Sequence, residues 1–335
     1  MAWHRAVRTT FLATPILLWA YAPSFAIPAS RQKPTSVVRE QNGLSISMKA
    51  PGSAYEMSAK EKVLASRLSE FGKRGDWQGA RQLYATYTDF SVPVLTAAMQ
   101  AAYRCGQYQE AARIYSKVCG ARRELDGVGL LVGLKVFGKL RDSSMVDAIW
   151  AEASERGLVD MPLRGARIDA AAYMGDIEAA ATVLDSMLTQ TIDIDVYKFN
   201  SAIFACANAE RPGHNAAMYL FKLLLERNLS PTVVTFTNLA KAHARASLEQ
   251  IQHVRATMKK YGIRSDPIFA ECYVSALLQG KFGHTASTTA DLADLPEREG
   301  RLQEAETALL EFQANNVDLS GMCRAILRYV RKSSL

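Results

Sequence analysis

One nine-residue phrase occurs twice in the middle of the chain. The first copy is residues 195–203 (DVYKFNSAI), and the second is residues 232–240 (TVVTFTNLA). Each begins with a short polar residue that can cap a helix, places a phenylalanine just before Asn200 or Thr237, and continues with apolar residues at helical spacing. The second copy starts 37 residues after the first (232 against 195). A helix-opening phrase repeated at this interval predicts an array of helical repeats.

A second recurring phrase marks the turns between helices. It starts with a glycine and has an alanine five residues later, and it occurs at residues 75–80, 106–111, 175–180 and 300–305. The glycine can end a helix in a left-handed conformation, and Asp76 or Asp176 can cap the helix that follows. Combined with the first phrase, these turns predict repeats at residues 61–91, 92–126, 127–160, 161–195, 196–232, 233–266 and from 267 onward.

Each repeat is interpreted as two helices joined by a short turn. The first helices are expected at residues 60–73, 92–104, 127–140, 161–173, 196–208, 233–245 and 267–279, and their partners at 77–88, 107–119, 143–156, 176–189, 214–227, 247–261 and 301–314. Residues 280–298 are low in large apolar side chains and are expected to form an inserted loop. A helix over residues 320–332 closes the array. The expected fold of residues 57–332 is all-α, a right-handed superhelical solenoid of about seven tandem helix-turn-helix repeats.

Charge is concentrated at the beginning of the chain. The formal net charge is +7, but residues 1–50 hold six basic residues against Glu40 alone, so the body is nearly neutral. Bulk charge therefore does not indicate nucleic acid, although a basic groove remains compatible with it. The five cysteines show no CxxC spacing, which favours packing over a metal site or a disulfide.

The N-terminal segment has the composition of a targeting sequence. Arg5 and Arg8 precede an apolar run at residues 11–20, and small residues follow, as in a secretory signal over residues 1–26. Residues 27–56 begin with a basic stretch rich in Ser, Thr and Pro, which is typical of a transit peptide. The junction at residues 22–28 (APSFAIP) resembles the phenylalanine-containing cleavage motif of algae with secondary plastids. This resemblance implies import into a plastid, with a mitochondrion as the alternative, and no stable membrane insertion of the mature chain is expected.

The repeated phrases resemble a known family. Residues 229–239 (LSPTVVTFTNL) and 195–203 resemble the opening of a pentatricopeptide repeat, and residues 262–266 (GIRSD) resemble its closing segment. The resemblance covers residues 61–266 well and 267–332 loosely. The competing family is the protein-binding tetratricopeptide repeat, whose Trp, Leu-Gly and Tyr signature is not visible here. Membership implies binding of single-stranded organellar RNA at about one base per repeat.

In that family, a residue near the start of the first helix and the last residue of the repeat contact the base edge. The clearest pairs carried onto this chain are Thr96 with Asp126, Asn200 with Thr232, and Thr237 with Asp266. A carboxylate can accept hydrogen bonds from guanine, and an amide both donates and accepts, which suits a pyrimidine. The other repeats depart from the pattern, with the pairs Ala65 and Ser91, Leu131 and Asp160, and Gly165 and Asp195.

Residues beside the reading positions are expected to sandwich the bases. These are Pro93, Val128, Pro162, Tyr197, Val234 and Ile268, of which Tyr197 offers the best stacking surface. An equally simple interpretation of Asp126, Asp195 and Asp266 is that they only cap helices.

Catalytic signatures are missing from the sequence. A nucleobase deaminase would need His-x-Glu and Cys-x-x-Cys, and neither occurs. No glycine-rich phosphate loop is visible, and the five histidines are scattered, with His243 and His253 expected to be solvated. The predicted function is therefore RNA binding without catalysis, cofactor or metal, in support of RNA processing, stability or translation. The alternative is a protein-binding scaffold on the same solenoid. An acidic or apolar groove would favour the scaffold.

Overall fold

A computed structural model of the chain describes residues 57–121, 123–190, 194–280, 292 and 294–333. The proposed targeting segments, residues 1–26 and 27–56, lie outside the described residues. The described residues form fifteen α-helices and no β-strand. The helices are α1 Ala59–Arg74, α2 Trp77–Ala85, α3 Val92–Arg104, α4 Tyr108–Gly120, α5 Gly127–Leu140, α6 Ser143–Glu155, α7 Met161–Met174, α8 Ile177–Thr189, α9 Val196–Asn208, α10 His214–Glu226, α11 Val233–Ala242, α12 Leu248–Lys260, α13 Pro267–Leu277, α14 Arg298–Ala314 and α15 Gly321–Ser333.

Local capping chemistry explains where most of these helices begin. An aspartate side chain accepts the hydrogen bond of a first-turn amide at α2, α5, α6, α7, α8, α9 and α13. Serine or threonine does the same at α1, α11 and α12, each as a reciprocal capping box. At the other end, Gly75 and Gly175 stop α1 and α7 with φ of 73° and 75°, a left-handed conformation that glycine adopts without strain.

The odd-numbered helices form one continuous row. Each of α1, α3, α5, α7, α9, α11 and α13 packs against the next odd-numbered helix, while α2, α4, α6, α8, α10, α12 and α14 pack behind them as partners. This arrangement is an all-α solenoid of helical hairpins, which confirms the predicted fold class. The buried core runs between the two rows as two apolar clusters that meet at α7, where Ala170 belongs to one cluster and Ala171 to the other.

Ion pairs hold the C-terminal helices together. Arg255 on α12 forms a 2.7 Å salt bridge with Glu304 and a second one with Glu311, both on α14. Lys259 also contacts Glu311, at 2.6 Å, and the Tyr273 hydroxyl on α13 donates to Glu304 at 2.7 Å. Three consecutive elements therefore share one largely buried polar network, which requires a defined register between them.

Several helix boundaries differ from the sequence-based expectation. Helix α2 ends at Ala85 instead of residue 88, and α11 ends at Ala242 instead of residue 245. Helix α14 begins at Arg298, inside the predicted inserted loop. Two residues of that predicted loop, Leu292 and Leu295, are buried in the core. The expectation that His243 is solvated was wrong, because its side chain is only 2% exposed.

The solenoid helices are short and amphipathic. Within the part of the chain that the structure describes, none is both long enough and apolar enough to cross a lipid bilayer.

Candidate nucleic-acid interface

A row of exposed side chains follows the N-terminal edge of the first helices. Each is the second residue of its helix, where the side chain projects away from the partner helix. Tyr197 is 72% exposed, Ile268 63%, Val128 53% and Val234 52%. These four are unusually exposed apolar groups for a protein whose remaining large apolar residues are mostly buried. Pro93 and Pro162 occupy the same position in α3 and α7. The predicted sandwiching residues therefore lie in one line, one per repeat.

The last residues of the repeats cap the helices that follow. Oδ1 of Asp126 accepts from the amide of Gly129 at 2.8 Å, and Oδ1 of Asp266 accepts from that of Phe269 at 2.6 Å. Thr232 accepts from the amide of Thr235 at 3.5 Å. Each cap uses one side-chain oxygen, so the second oxygen of Asp126 and of Asp266 makes no hydrogen bond within the described residues. Capping and base recognition are therefore compatible at these two aspartates.

The predicted reading residues of the first helices lie just beneath the exposed row. Thr96, Asn200 and Thr237 are the fifth residues of α3, α9 and α11, and they are 6%, 5% and 6% exposed. The Thr237 hydroxyl donates to the carbonyl of Val233 at 2.9 Å, whereas the Thr96 hydroxyl has no partner in the described residues. Each is one helical turn from its exposed second-position neighbour, so the structure brings the predicted pairs to one edge.

Asn200 also connects neighbouring repeats, a role that the sequence did not predict. Its Oδ1 accepts from the Thr235 hydroxyl on α11 at 2.7 Å, and its backbone carbonyl accepts from Asn238 Nδ2 at 3.0 Å. The amide nitrogen Nδ2 of Asn200 donates no hydrogen bond to the described part of the chain. Asn200 is therefore oriented by α11 with its donor group left available. Base recognition by Thr96, Asp126, Asn200, Thr232, Thr237 and Asp266 stays a prediction.

Sequence reasoning missed the residues one and two turns further along the first helices. The ninth residues of the odd-numbered helices from α3 to α13 are all partly exposed. They are Gln100, Lys135, Asp169, Phe204, Lys241 and Ser275. The thirteenth residues of α3, α5 and α7 are Arg104, Lys139 and Tyr173. The spacing of residues two, five, nine and thirteen places them on one helix face, a signal that the sequence did contain.

Basic side chains outnumber acidic ones at these ninth and thirteenth positions. Arg104, Lys135, Lys139 and Lys241 are basic, and Asp169 is acidic. Lys139 Nζ lies 3.7 Å from the centre of the Tyr173 ring, and Lys241 Nζ lies 5.4 Å from that of Phe204. These cation–π contacts hold the ammonium groups against the face. The nearby Tyr103 phenol has its pKa raised to about 12, mainly by burial, so it stays protonated at neutral pH.

One concave site interrupts the face between α5, α7 and α9. It has a volume of about 410 Å³ and is lined by Leu131, Lys135, Met161, Pro162, Gly165, Ala166, Asp169, Tyr197, Lys198 and Ser201. It contains the fifth-position residues of the third and fourth repeats, Leu131 and Gly165, which do not match the pattern of base recognition.

Comparison with known proteins gives one family match and similar solved structures. Residues 182–245 match the family model described as pentatricopeptide repeat domain. The crystal structure of PPR10 in complex with an 18-nt psaJ RNA element superimposes with a TM-score of 0.62 at 16% identity, covering 83% of this chain and 38% of that one. The crystal structure of PPR10 from maize gives a TM-score of 0.38 at 14% identity, covering 79% of this chain and 46% of that one.

The chain spans less than half the length of either solved structure. A search of curated protein sequences gave no match. The hairpin row and the superposition on PPR10 define the class as an α-solenoid. Within this solenoid, residues 182–245 match the pentatricopeptide repeat domain, and the rest of the array shares only its fold with PPR10.

Proposed function

We propose that the chain binds single-stranded organellar RNA along the open face of the first helices. The observation that carries this proposal is the line of second-position side chains from Pro93 to Ile268, one per repeat, above partly exposed polar and basic residues. Helical repeats of this kind read about one base each. PPR10, which shares the fold, was solved with an RNA element bound.

Three kinds of contact would bind the RNA, namely base stacking, hydrogen bonds to base edges and ion pairs with phosphates. The exposed second residues would separate and stack the bases, with Tyr197 contributing most because its aromatic ring is 72% exposed. The pairs Thr96 with Asp126, Asn200 with Thr232, and Thr237 with Asp266 would hydrogen-bond base edges. Lysines of the open face, such as Lys241, would neutralise phosphates.

The charge of the face supports RNA over the alternative of a protein-binding scaffold. At the ninth and thirteenth positions of the first helices, basic side chains outnumber acidic ones although the body of the chain is nearly neutral. The exposed apolar residues Tyr219 and Leu310 lie on α10 and α14, which are not adjacent partner helices, and singly exposed residues do not indicate a partner surface.

The protein would act by occupying its transcript, without catalysis of its own. A bound solenoid covers the RNA and thereby supports its processing, stability or translation. The proposed site of action is the plastid, supported by the signal-like residues 1–26 and the transit-like residues 27–56. A fluorescent fusion of residues 1–56 that is found outside the plastid would contradict plastid localisation. Fluorescence in the mitochondrion would support the alternative localisation.

Selection of RNA from a randomised library tests the proposed activity. The full chain should retain specific sequences, and Tyr197→Ala should weaken binding of the selected RNA by roughly fivefold to a hundredfold, since stacking contributes ~1–3 kcal/mol per base. Tyr219→Ala is the matched control because Tyr219 is an exposed tyrosine on the partner helix α10, and it should bind like the unmodified chain. Equal binding by the Tyr197 and Tyr219 variants would exclude Tyr197 from the interface, and no retained RNA at all would exclude the function.

A further inference from the structure

The cleft between α5, α7 and α9 lies in two repeats whose fifth residues, Leu131 and Gly165, do not fit the predicted pattern of base recognition. Its volume of about 410 Å³ lies within the range of roughly 300–1,000 Å³ typical of small-ligand pockets. Apolar residues form its walls, including Leu131, Met161 and Ala166, and a few polar groups converge on it. Apolar walls with a few convergent polar groups are typical of small-ligand pockets.

The reading position of the fourth repeat is filled by a side chain from the next helix. Gly165 is the fifth residue of α7 and has no side chain, and a Cβ there would lie 3.0 Å from Cε of Lys198. The alkyl chain of Lys198 therefore lies over Gly165. Its ammonium group reaches both oxygens of Asp195, at 3.3 and 3.2 Å. Asp195 is thus neutralised by an ion pair in addition to capping α9, which makes it a poor base reader.

Two side chains of the cleft, Asp169 and Lys135, can form the hydrogen bonds to a base that Gly165 and Asp195 cannot. Asp169 lies four residues after Gly165 on the same face of α7, and its Oδ1 accepts from the Ser201 hydroxyl at 2.7 Å. Its second oxygen makes no hydrogen bond within the described residues. Lys135 of α5 lines the same cleft and forms no salt bridge within the described part of the chain. A carboxylate acceptor and an ammonium donor therefore line the same cleft from two helices.

The mouth of the cleft carries two stacking surfaces. Pro162 and Tyr197 are the second residues of α7 and α9, and both line the opening. A base inserted between them would have its edge directed along α7 toward Asp169. Because Gly165 has no side chain, the alkyl chain of Lys198 forms this part of the cleft wall.

We propose that this cleft binds one guanine of the RNA, with Asp169 and Lys135 as its specificity-determining residues. Guanine presents the acceptors O6 and N7, which suit an ammonium group, together with N–H donors that suit a carboxylate. Uracil and cytosine are smaller, and adenine presents a single amino donor. This inference rests on the proposed RNA binding and adds a reading mechanism for a repeat whose fifth and last residues, Gly165 and Asp195, cannot supply one.

The test compares RNA motifs selected from a randomised library by the full chain and by single variants. The unmodified chain should select a motif with one guanine position that Asp169→Asn and Lys135→Met each weaken by about tenfold relative to the other bases, while all other positions stay unchanged. Matched controls with the same chemical changes on partner helices are Glu178→Gln on α8 and Lys222→Met on α10, both exposed. Both controls should select the unmodified motif.

A third cleft variant separates a change in the cleft from loss of folding. Gly165→Ser places a Cβ 3.0 Å from Cε of Lys198 and adds a side chain to the cleft without removing a charge, so it should weaken the same guanine position. Thermal unfolding of every variant identifies misfolded chains. A motif that is identical in all three cleft variants would overturn the guanine site and leave RNA binding intact, whereas the absence of any motif for the unmodified chain would overturn the proposed function itself. Displacement of the selected RNA by guanosine monophosphate alone would assign the cleft to a free nucleotide and also overturn the proposal.

Discussion

Two neighbouring pairs of first helices are held together by different means. Between α5 and α7 the contact is a close backbone approach, since a Cβ on Gly138 would lie 2.7 Å from the Cα of Ala170. Between α9 and α11 the contact is polar, with the Thr235 hydroxyl bonded to Asn200 at 2.7 Å and Asn238 bonded to the Asn200 carbonyl at 3.0 Å. The contact between α5 and α7 requires the absence of a side chain at Gly138. The contact between α9 and α11 requires the hydrogen-bonding groups of Asn200, Thr235 and Asn238.

This difference determines what each region can present to a ligand. At the predicted reading positions of α9 and α11, Asn200 bonds to the neighbouring repeat and Thr237 bonds to a carbonyl of its own helix, which fixes their orientation. In α5 and α7 those positions carry Leu131 and Gly165, and the space beside them forms the cleft. Repeats that lack the predicted reading pair can therefore form a cleft instead. Substitutions in the α5–α7 region and in the α9–α11 region should have different effects.

The largest effect is expected from filling the close approach between α5 and α7. Gly138→Val would force a side chain into the backbone of Ala170, and overpacking of this kind costs up to about 3 kcal/mol. Hydrogen exchange of α5 and α7 amides should accelerate by roughly a hundredfold while that of α11 changes little. The control is Gly120→Val at the end of α4, where no atom lies within 4 Å of the added Cβ. Equal effects of the two substitutions would show that Gly138 is not needed for packing.

Acid should weaken the region around α11 selectively. Burial lowers the pKa of His243 to about 4, and burial also lowers that of His214, whose ring centre lies 5.6 Å away. Because the unfolded chain takes up these protons more readily, stability falls as the pH falls through the window between about 6.5 and about 4. For His243 alone the loss between about pH 7.5 and about pH 5 is about 2 kcal/mol.

Urea unfolding at several pH values, combined with hydrogen exchange, measures this loss and locates it. His243→Gln should remove most of the acid sensitivity of α11, and His253→Gln, which changes an exposed histidine, should leave it in place. An acid response of α5 and α7 as large as that of α11 would contradict the assignment to His243.

A smaller effect is expected from breaking the polar connection between α9 and α11. Asn200→Ala leaves the buried Thr235 hydroxyl without its acceptor, which costs about 1.5 kcal/mol. A double-mutant cycle with Thr235→Val should give a coupling free energy of about 1 kcal/mol, measured by urea unfolding. Additive effects of the two substitutions would mean that the 2.7 Å contact contributes nothing to the junction.

The smallest effect concerns the cap that precedes α5. Asp126→Ala should destabilise the protein by about 1 kcal/mol, because the amide of Gly129 loses its acceptor. Asp126→Asn keeps a capping oxygen and should change the unfolding temperature little. If the Asn variant were as unstable as the Ala variant, the negative charge of Asp126, and not its capping bond, would be the stabilising feature.

Sequence reasoning predicted most of the helices because their ends depend on nearby residues. Helix α9 occupies the predicted residues 196–208, since Asp195 caps it through a bond only three residues away. Helix α14 begins earlier than predicted. Arg301 bonds to the carbonyl of Ala246, and Glu297 accepts from the amide of Leu248, about fifty residues away along the chain. Contacts of that range leave no local signal in the sequence.

The candidate site divides in the same way. The sequence by itself determined the aspartate caps, because each depends on residues within one turn, and the repeated phrases gave the repeat period. The resemblance of those phrases to a known family indicated the second-position row. Only the tertiary structure decided that Asn200 bonds to the next repeat, that Lys198 covers Gly165, and that Asp169 and Lys135 line one cleft. The physical reason is that these contacts join residues about 33 to 35 positions apart, so their geometry depends on how closely the neighbouring helices pack.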